Sequence, residues 1–192
     1  YEDVFEPAPG VRIRFWNAGH MLGSASAEVV IREAGASERL RILFSGDLGP
    51  EEKAFHPEPD APEGFDYIVC ESTYGARERD DYTLEGRRAI LRGELTRALS
   101  RGGNVVIPSF AVERSQELLH DIGVLLANKE IPEATVFLDS PLARKVTEVF
   151  IKHAAALQDI DVDEDELFRN KRFKLVRSVD ESKAINDVKK GA

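Results

Sequence analysis

Two short segments each combine glycine with one metal-binding side chain. Gly19-His20-Met21-Leu22-Gly23-Ser24-Ala25-Ser26 offers an imidazole, and Phe44-Ser45-Gly46-Asp47-Leu48-Gly49 offers a carboxylate able to bridge two cations. Each abuts an apolar, strand-like run. Zinc in hydrolases takes such nitrogen and oxygen donors and keeps an open position for water. Each residue also has a plainer reading. His20 alone is a loop histidine, and Ser-Gly-Asp-Leu-Gly is good turn chemistry around Asp47.

Three further segments follow in order: Cys70-Glu71-Ser72-Thr73-Tyr74-Gly75, then Ile107-Pro108-Ser109-Phe110-Ala111-Val112-Glu113-Arg114-Ser115-Gln116-Glu117, then Asp139-Ser140-Pro141-Leu142-Ala143. Taken together, the five blocks resemble the β-CASP branch of the metallo-β-lactamase fold, the RNA- and DNA-processing hydrolases. The Gly-His-Met-Leu-Gly-Ser form is closer to the cleavage-and-polyadenylation-type ribonucleases than to ribonuclease J. The family's main ligand signature, H-x-H-x-D-H, is absent, since His20, His56, His120 and His153 are widely separated. Its glycine-rich C-terminal segment with two more histidines is absent too. The expectation is an internal piece of a longer enzyme. After Gly75 the family often has Asp and soon a histidine, where this chain has Ala76-Arg77-Glu78-Arg79.

The resemblance implies an α/β fold: residues 1–78 as the later part of a metallo-β-lactamase αββα sandwich, and residues 79–192 as most of a β-CASP parallel-sheet domain. It implies two zinc ions in the complete site. His20 would complete the coordination of one, and Asp47 would bridge both, held about 3.5–4 Å apart. Water activated by the pair would attack phosphorus in line. Asp47 and Glu71 are thus the catalytic candidates, with Glu71 orienting a histidine that this chain lacks. By itself Glu71 reads as a strand-end glutamate, exposed because a buried carboxylate without partners is costly. Arg114 and Ser140 resemble family positions lining a groove for single-stranded RNA between the domains, and Ser109 is a third substrate-binding candidate. Ser109 is equally an ordinary helix N-cap or part of a phosphate site at a helix N-terminus. Arg114 suits the forked recognition of phosphate. Arg144 and Lys145 either extend that lining or form a solvated helix face.

Positioning these groups requires a β-rich first part. Val11-Arg12-Ile13-Arg14-Phe15-Trp16 alternates as a half-buried strand does. Ala27-Glu28-Val29-Val30-Ile31-Arg32 and Leu40-Arg41-Ile42-Leu43-Phe44 read as two more strands joined by a hairpin turn over residues 33–38. Residues 51–64, with three prolines, form a surface loop that leaves His56 exposed. Phe65-Asp66-Tyr67-Ile68-Val69-Cys70 reads as a buried strand. Beyond it, Leu84, Leu91, Leu95, Ala98 and Leu99 make one helix face, and Leu118, Leu119, Ile122, Leu125 and Leu126 another. His120 and His153 fall in helical runs and read as structural or exposed. Strands are expected over residues 104–107, 134–138 and 172–176, with a helix opening at Pro141 and a last one over 181–190. Strands alternating with helices imply a parallel sheet.

The chain has 192 residues, 42% hydrophobic and 32% charged, a globular composition. No apolar run approaches the roughly 20 residues needed to span a bilayer. The net charge of −9 excludes a protein that coats nucleic acid nonspecifically, while leaving room for a nuclease with local arginines. Part of that charge lies in the acidic run of residues 159–166, read as a solvated segment. The single Cys70 excludes an internal disulfide and reads as a small buried core thiol, which fits a reducing, cytoplasmic setting. The reading that follows is a zinc-dependent ribonuclease in the full-length parent, with this piece inactive alone and a homodimer open to it. The alternatives are a non-catalytic RNA-binding β-CASP subunit and a small-substrate hydrolase of the same fold.

Overall fold

The structure is a computed structural model that describes residues 1, 3–33, 35, 37–50, 53–54, 58–60, 62–77, 83–153, 168 and 170–189. The chain divides into two compact units, Tyr1–Asp80 and Asp81–Ala192. His56, the acidic run and residues 78 and 79 lie outside the described residues.

The first unit is a five-stranded sheet in sequential order: β1 (Val4–Ala8), β2 (Val11–Asn17), β3 (Ala25–Ile31), β4 (Leu40–Phe44) and β5 (Tyr67–Val69). The first four are antiparallel, and β5 joins β4 in parallel. The alternation in β2 separates two faces. Partners in register share a face. Phe15 pairs with Ala27, Ala27 with Phe44 and Phe44 with Val69, while Ile13, Val29, Ile42 and Tyr67 form the next row. Phe5 pairs with Ile13, and its ring lies 5.7 Å from that of Phe15. This face is apolar. The opposite face carries Arg12, Arg14, Trp16, Glu28 and Arg41.

The apolar face is not sealed. Phe15 and Phe44 are more than 40% exposed and Tyr67 63%. The expectation that residues 65–70 form a buried strand with a buried Cys70 is therefore corrected. The strand forms, but it is exposed, and so is Cys70. The physical reason is that β5 is the outermost strand, bonded on one side only, with no second layer over it among the described residues of its unit.

The second unit contains helices α1 (Leu84–Leu99), α2 (Arg114–Ala127), α3 (Pro141–Lys152) and α4 (Val179–Ile185), with β6 (Val136–Leu138) parallel to β7 (Phe173–Leu175). The Thr83 hydroxyl caps α1 by accepting from the Gly86 N–H at 3.0 Å. Ser140 caps α3 by accepting from the Ala143 N–H at 3.2 Å, with Pro141 opening the helix. Among the described residues, one core cluster is Leu95, Ile122, Leu125 and Ile131, with Leu91, Leu99, Val136 and Phe173 packed on it. No helix of the described residues is long and apolar enough to cross a membrane.

Two expectations are corrected here. Residues 104–107 form no strand. Val105 packs on the core, but Val106 is 87% exposed, and the Asn104 side chain donates to the Val188 carbonyl instead of the backbone joining β6. The last helix runs over Val179–Ile185 rather than 181–190. Ser178 sets its start by accepting from the Glu181 N–H, while the Glu181 carboxylate accepts from the Arg177 N–H at 2.7 Å.

Candidate functional site

Three loops gather at one end of the first sheet. β2 ends at Asn17, whose Oδ1 accepts from the Gly19 N–H at 3.0 Å. The Ser24 hydroxyl accepts from the N–H groups of His20 (3.0 Å) and Met21 (3.1 Å), so the loop bearing His20 is closed from within. The Lys53 ammonium donates to the His20 carbonyl. The second loop follows β4. Its Gly49 N–H donates to the carbonyl of the fully buried Ala18 at 2.8 Å. A Cβ on Gly49 would collide with the Gly19 carbonyl, so this contact needs glycine. Gly46, at φ +59, turns the chain into Asp47, and a Cβ there would lie 2.7 Å from the Ala25 carbonyl oxygen.

Ser45 ties the third loop in. Its N–H donates to Val69 O at 2.9 Å, and its hydroxyl accepts from the Glu71 N–H at 2.9 Å. The buried Ser26 hydroxyl donates to Ser45 O at 2.7 Å. The Glu71 carboxylate accepts from the N–H groups of Thr73 (2.8 Å) and Leu48 (3.4 Å). Hydrogen bonds from Thr73, then from Leu48, hold the Glu71 carboxyl below the usual carboxylate range. His20 is half-buried, Asp47 exposed and Glu71 half-buried.

The structure thus places His20, Asp47 and Glu71 on adjoining loops of one unit. Among the described residues, no group of three or more His, Cys, Asp or Glu side chains is close enough to share a metal ion. His20 and Asp47 fit zinc by donor type, but not by number: a catalytic zinc takes three protein ligands. Ser24 and Ser45, which organise the loops, are absent from the sequence-based candidates. Their only signal is a small hydroxyl residue beside a motif glycine.

Ser109, Arg114 and Ser140 lie in the second unit. Ser109 is not the cap of α2, which begins at Arg114 after Glu113 in a left-handed conformation (φ 67). Its hydroxyl instead meets that of Ser115 at 3.4 Å, while Ser115 donates to Phe110 O at 2.7 Å. Ser109 and Ser140 line one cavity of about 730 Å³ whose other walls are mainly apolar. Arg114 does not line it and faces Glu117 at 3.7 Å. Arg144 pairs with Glu148 at 2.6 Å, and Lys145 is exposed.

Below these groups lies a buried polar layer. Asp121 binds Arg87 at 2.8 Å and Arg88 at 3.1 Å, and Arg87 also reaches Glu117 at 3.2 Å. Burial pushes the Asp121 carboxyl up, but His120, Arg87 and Arg88 outweigh it and hold the group below its ordinary value. The fully buried Gln116 donates to Thr147 Oγ1 at 2.9 Å and to the carbonyls of Ala111 and Ala143. His120 is buried in α2 and His153 is exposed at the end of α3.

Residues 115–192 match the Beta-Casp domain. Ribonuclease TTHA0252 of Thermus thermophilus is 36% identical over 179 residues, 91% of this chain. The chain belongs to the β-CASP family. Other β-CASP relatives are the transcription termination factor FttA of Methanosarcina mazei, 33% identical over 72% of the chain, and endoribonuclease YSH1 of Mycosarcoma maydis, 31% identical over 79%. The chain spans 39%, 21% and 17% of the lengths of these three relatives.

Proposed function

We propose that this chain is part of a zinc-dependent ribonuclease, with Tyr1–Asp80 as a segment of a metallo-β-lactamase domain. The observation that carries the reading is the convergence of the His20, Asp47 and Glu71 loops, held by backbone hydrogen bonds and by glycines at the points of closest approach. The names of two of the three relatives, a ribonuclease and an endoribonuclease, support RNA as substrate.

His20 and Asp47 would hold zinc, completed by donors from outside this chain. Two zinc ions held there would supply an activated water and charge stabilisation at phosphorus. Glu71 keeps the Asp47 loop in place and stays ionised. Ser109 and Ser140 contribute hydroxyls to the substrate surface, and Arg114 contributes a guanidinium. The setting is cytoplasmic.

The test uses the longer protein containing these residues, a 5′-labelled single-stranded RNA, and zinc. Cleavage is expected, to be abolished by chelation and lost in His20→Ala and Asp47→Ala. Full cleavage by both variants would overturn the reading. Residues 1–192 alone are expected to be inactive, because two donors do not make a catalytic site; robust zinc-dependent cleavage by them would count equally against it.

A further inference from the structure

The polar face of the first sheet carries a feature that the His20–Asp47 site does not use. Arg12, Arg14 and Trp16 project from β2 onto one side, beside Glu28 of β3, Arg41 of β4 and the nearby Arg39. They line a concavity of about 280 Å³. Glu28 is the one carboxylate in that lining and is already engaged. Arg41 binds it through Nη2 (2.9 Å) and Nε (3.1 Å), and the Trp16 indole N–H donates to it at 3.0 Å. Arg41 is further anchored to the carbonyls of Glu63 and Gly64. Arg12, Arg14 and Arg39 make no ion pair with any other described residue. Three guanidiniums without an ion pair among the described residues therefore share one concave surface of a chain whose net charge is −9. General basicity does not explain them.

The second observation is geometric. The Arg14 guanidinium lies over the Trp16 ring, 5.2 Å from its centroid. The contact is within cation–π range and holds the Arg14 guanidinium against the indole. An arginine held on an aromatic ring beside further arginines suits single-stranded nucleic acid, because bases stack on aromatic and guanidinium groups and phosphates take the remaining charges. Arg14 and Arg12 lie roughly 10–17 Å along β2 from Asn17, where the His20 loop begins.

We infer that this Arg12–Arg14–Trp16–Arg39 face is a second contact surface for single-stranded RNA, separate from the metal-binding loops. RNA is favoured over an acidic protein by the Arg14–Trp16 contact, which a carboxylate does not need. The inference rests on the ribonuclease reading for its choice of polyanion.

The test is fluorescence anisotropy of the 192-residue chain with a labelled oligouridylate across a salt series, against Arg12→Ser/Arg14→Ser/Arg39→Ser. We expect the triple variant to bind at least tenfold more weakly. The slope of log affinity against log salt should fall by about 2, since each lost phosphate contact on a single strand removes about 0.7. Unchanged affinity and slope, or no binding by the unsubstituted chain, would overturn the inference. The triple lysine variant checks stacking without removing charge. It should keep the salt slope and lose affinity severalfold, and full affinity would overturn the stacking role. Equally strong competition by poly-glutamate would assign the surface to acidic protein instead. In the longer enzyme the serine variant should raise KM for RNA and leave kcat unchanged. Absence of metal-dependent cleavage by the unsubstituted enzyme would instead count against the ribonuclease reading, while the binding series still decides this one.

Discussion

The Glu71 carboxylate accepts a hydrogen bond from the backbone N–H of Leu48, the residue after Asp47. The two acidic groups are therefore coupled through one peptide unit, although they come from different strand ends. Glu71→Gln should loosen the Asp47 loop without removing either proposed metal donor, His20 or Asp47. In the longer enzyme we expect about a 10–100-fold loss of zinc affinity or RNA cleavage, the usual effect of losing an outer partner. Zinc titration alongside cleavage rates checks this.

Among the described residues of the second unit, Asp121 pairs with both Arg87 and Arg88. Asp121→Ala removes the ion-pair partner of the half-buried Arg88 and one of the two partners of Arg87, and should destabilise the unit by about 1.5–3 kcal/mol. Its folded pKa is depressed, so its stabilising contribution is complete above the unfolded value of about 3.9 and is lost as pH falls through the folded value. Urea midpoints of the two proteins should differ most above about pH 4 and converge in more acidic solution.

Gln116 joins α2 to α3 through Thr147 and Ala143. Gln116→Leu keeps apolar volume and leaves the two carbonyls with fewer donors, at a cost of about 1–3 kcal/mol. Gln116→Glu should be worse, because it buries a carboxylate at a site with no exposure. Chemical denaturation of both variants orders them.

The apolar sheet face predicts self-association of the isolated chain, since exposed apolar faces and open edges pair. Sedimentation should depend on concentration, and Phe44→Lys/Tyr67→Lys should shift the chain towards monomer. A clean monomer of the unsubstituted chain at high concentration would count against this.

Periodicity exposes β2, β3, β4 and the buried face of α2, because each has an amphipathic pattern of its own. It does not expose β1, whose Val-Phe-Glu-Pro-Ala run contains a proline tolerated only because the strand is at an edge. Residues 104–107 have the apolarity of a strand, but strand formation needs a partner, and apolarity does not specify one. The same gap explains Cys70: an apolar neighbourhood reads as buried, whereas burial depends on what lies above it. At the site, His20 and Asp47 are legible from their glycine-flanked motifs. The hydrogen bonds through Ser24, Ser45 and Leu48 that assemble the loops are not, because they arise only once distant segments meet.

The parallel register of β5 also sets an order of assembly. β1 to β4 follow one another as antiparallel neighbours with short connections, so they can close locally. Pairing Ile42 with Tyr67 requires a much longer loop to close first, and such non-local pairings form late. Glu71 arrives with that strand. The loops of His20 and Asp47 can therefore meet before their acidic neighbour is in place, and the last carboxylate to reach the site is the one that fixes it.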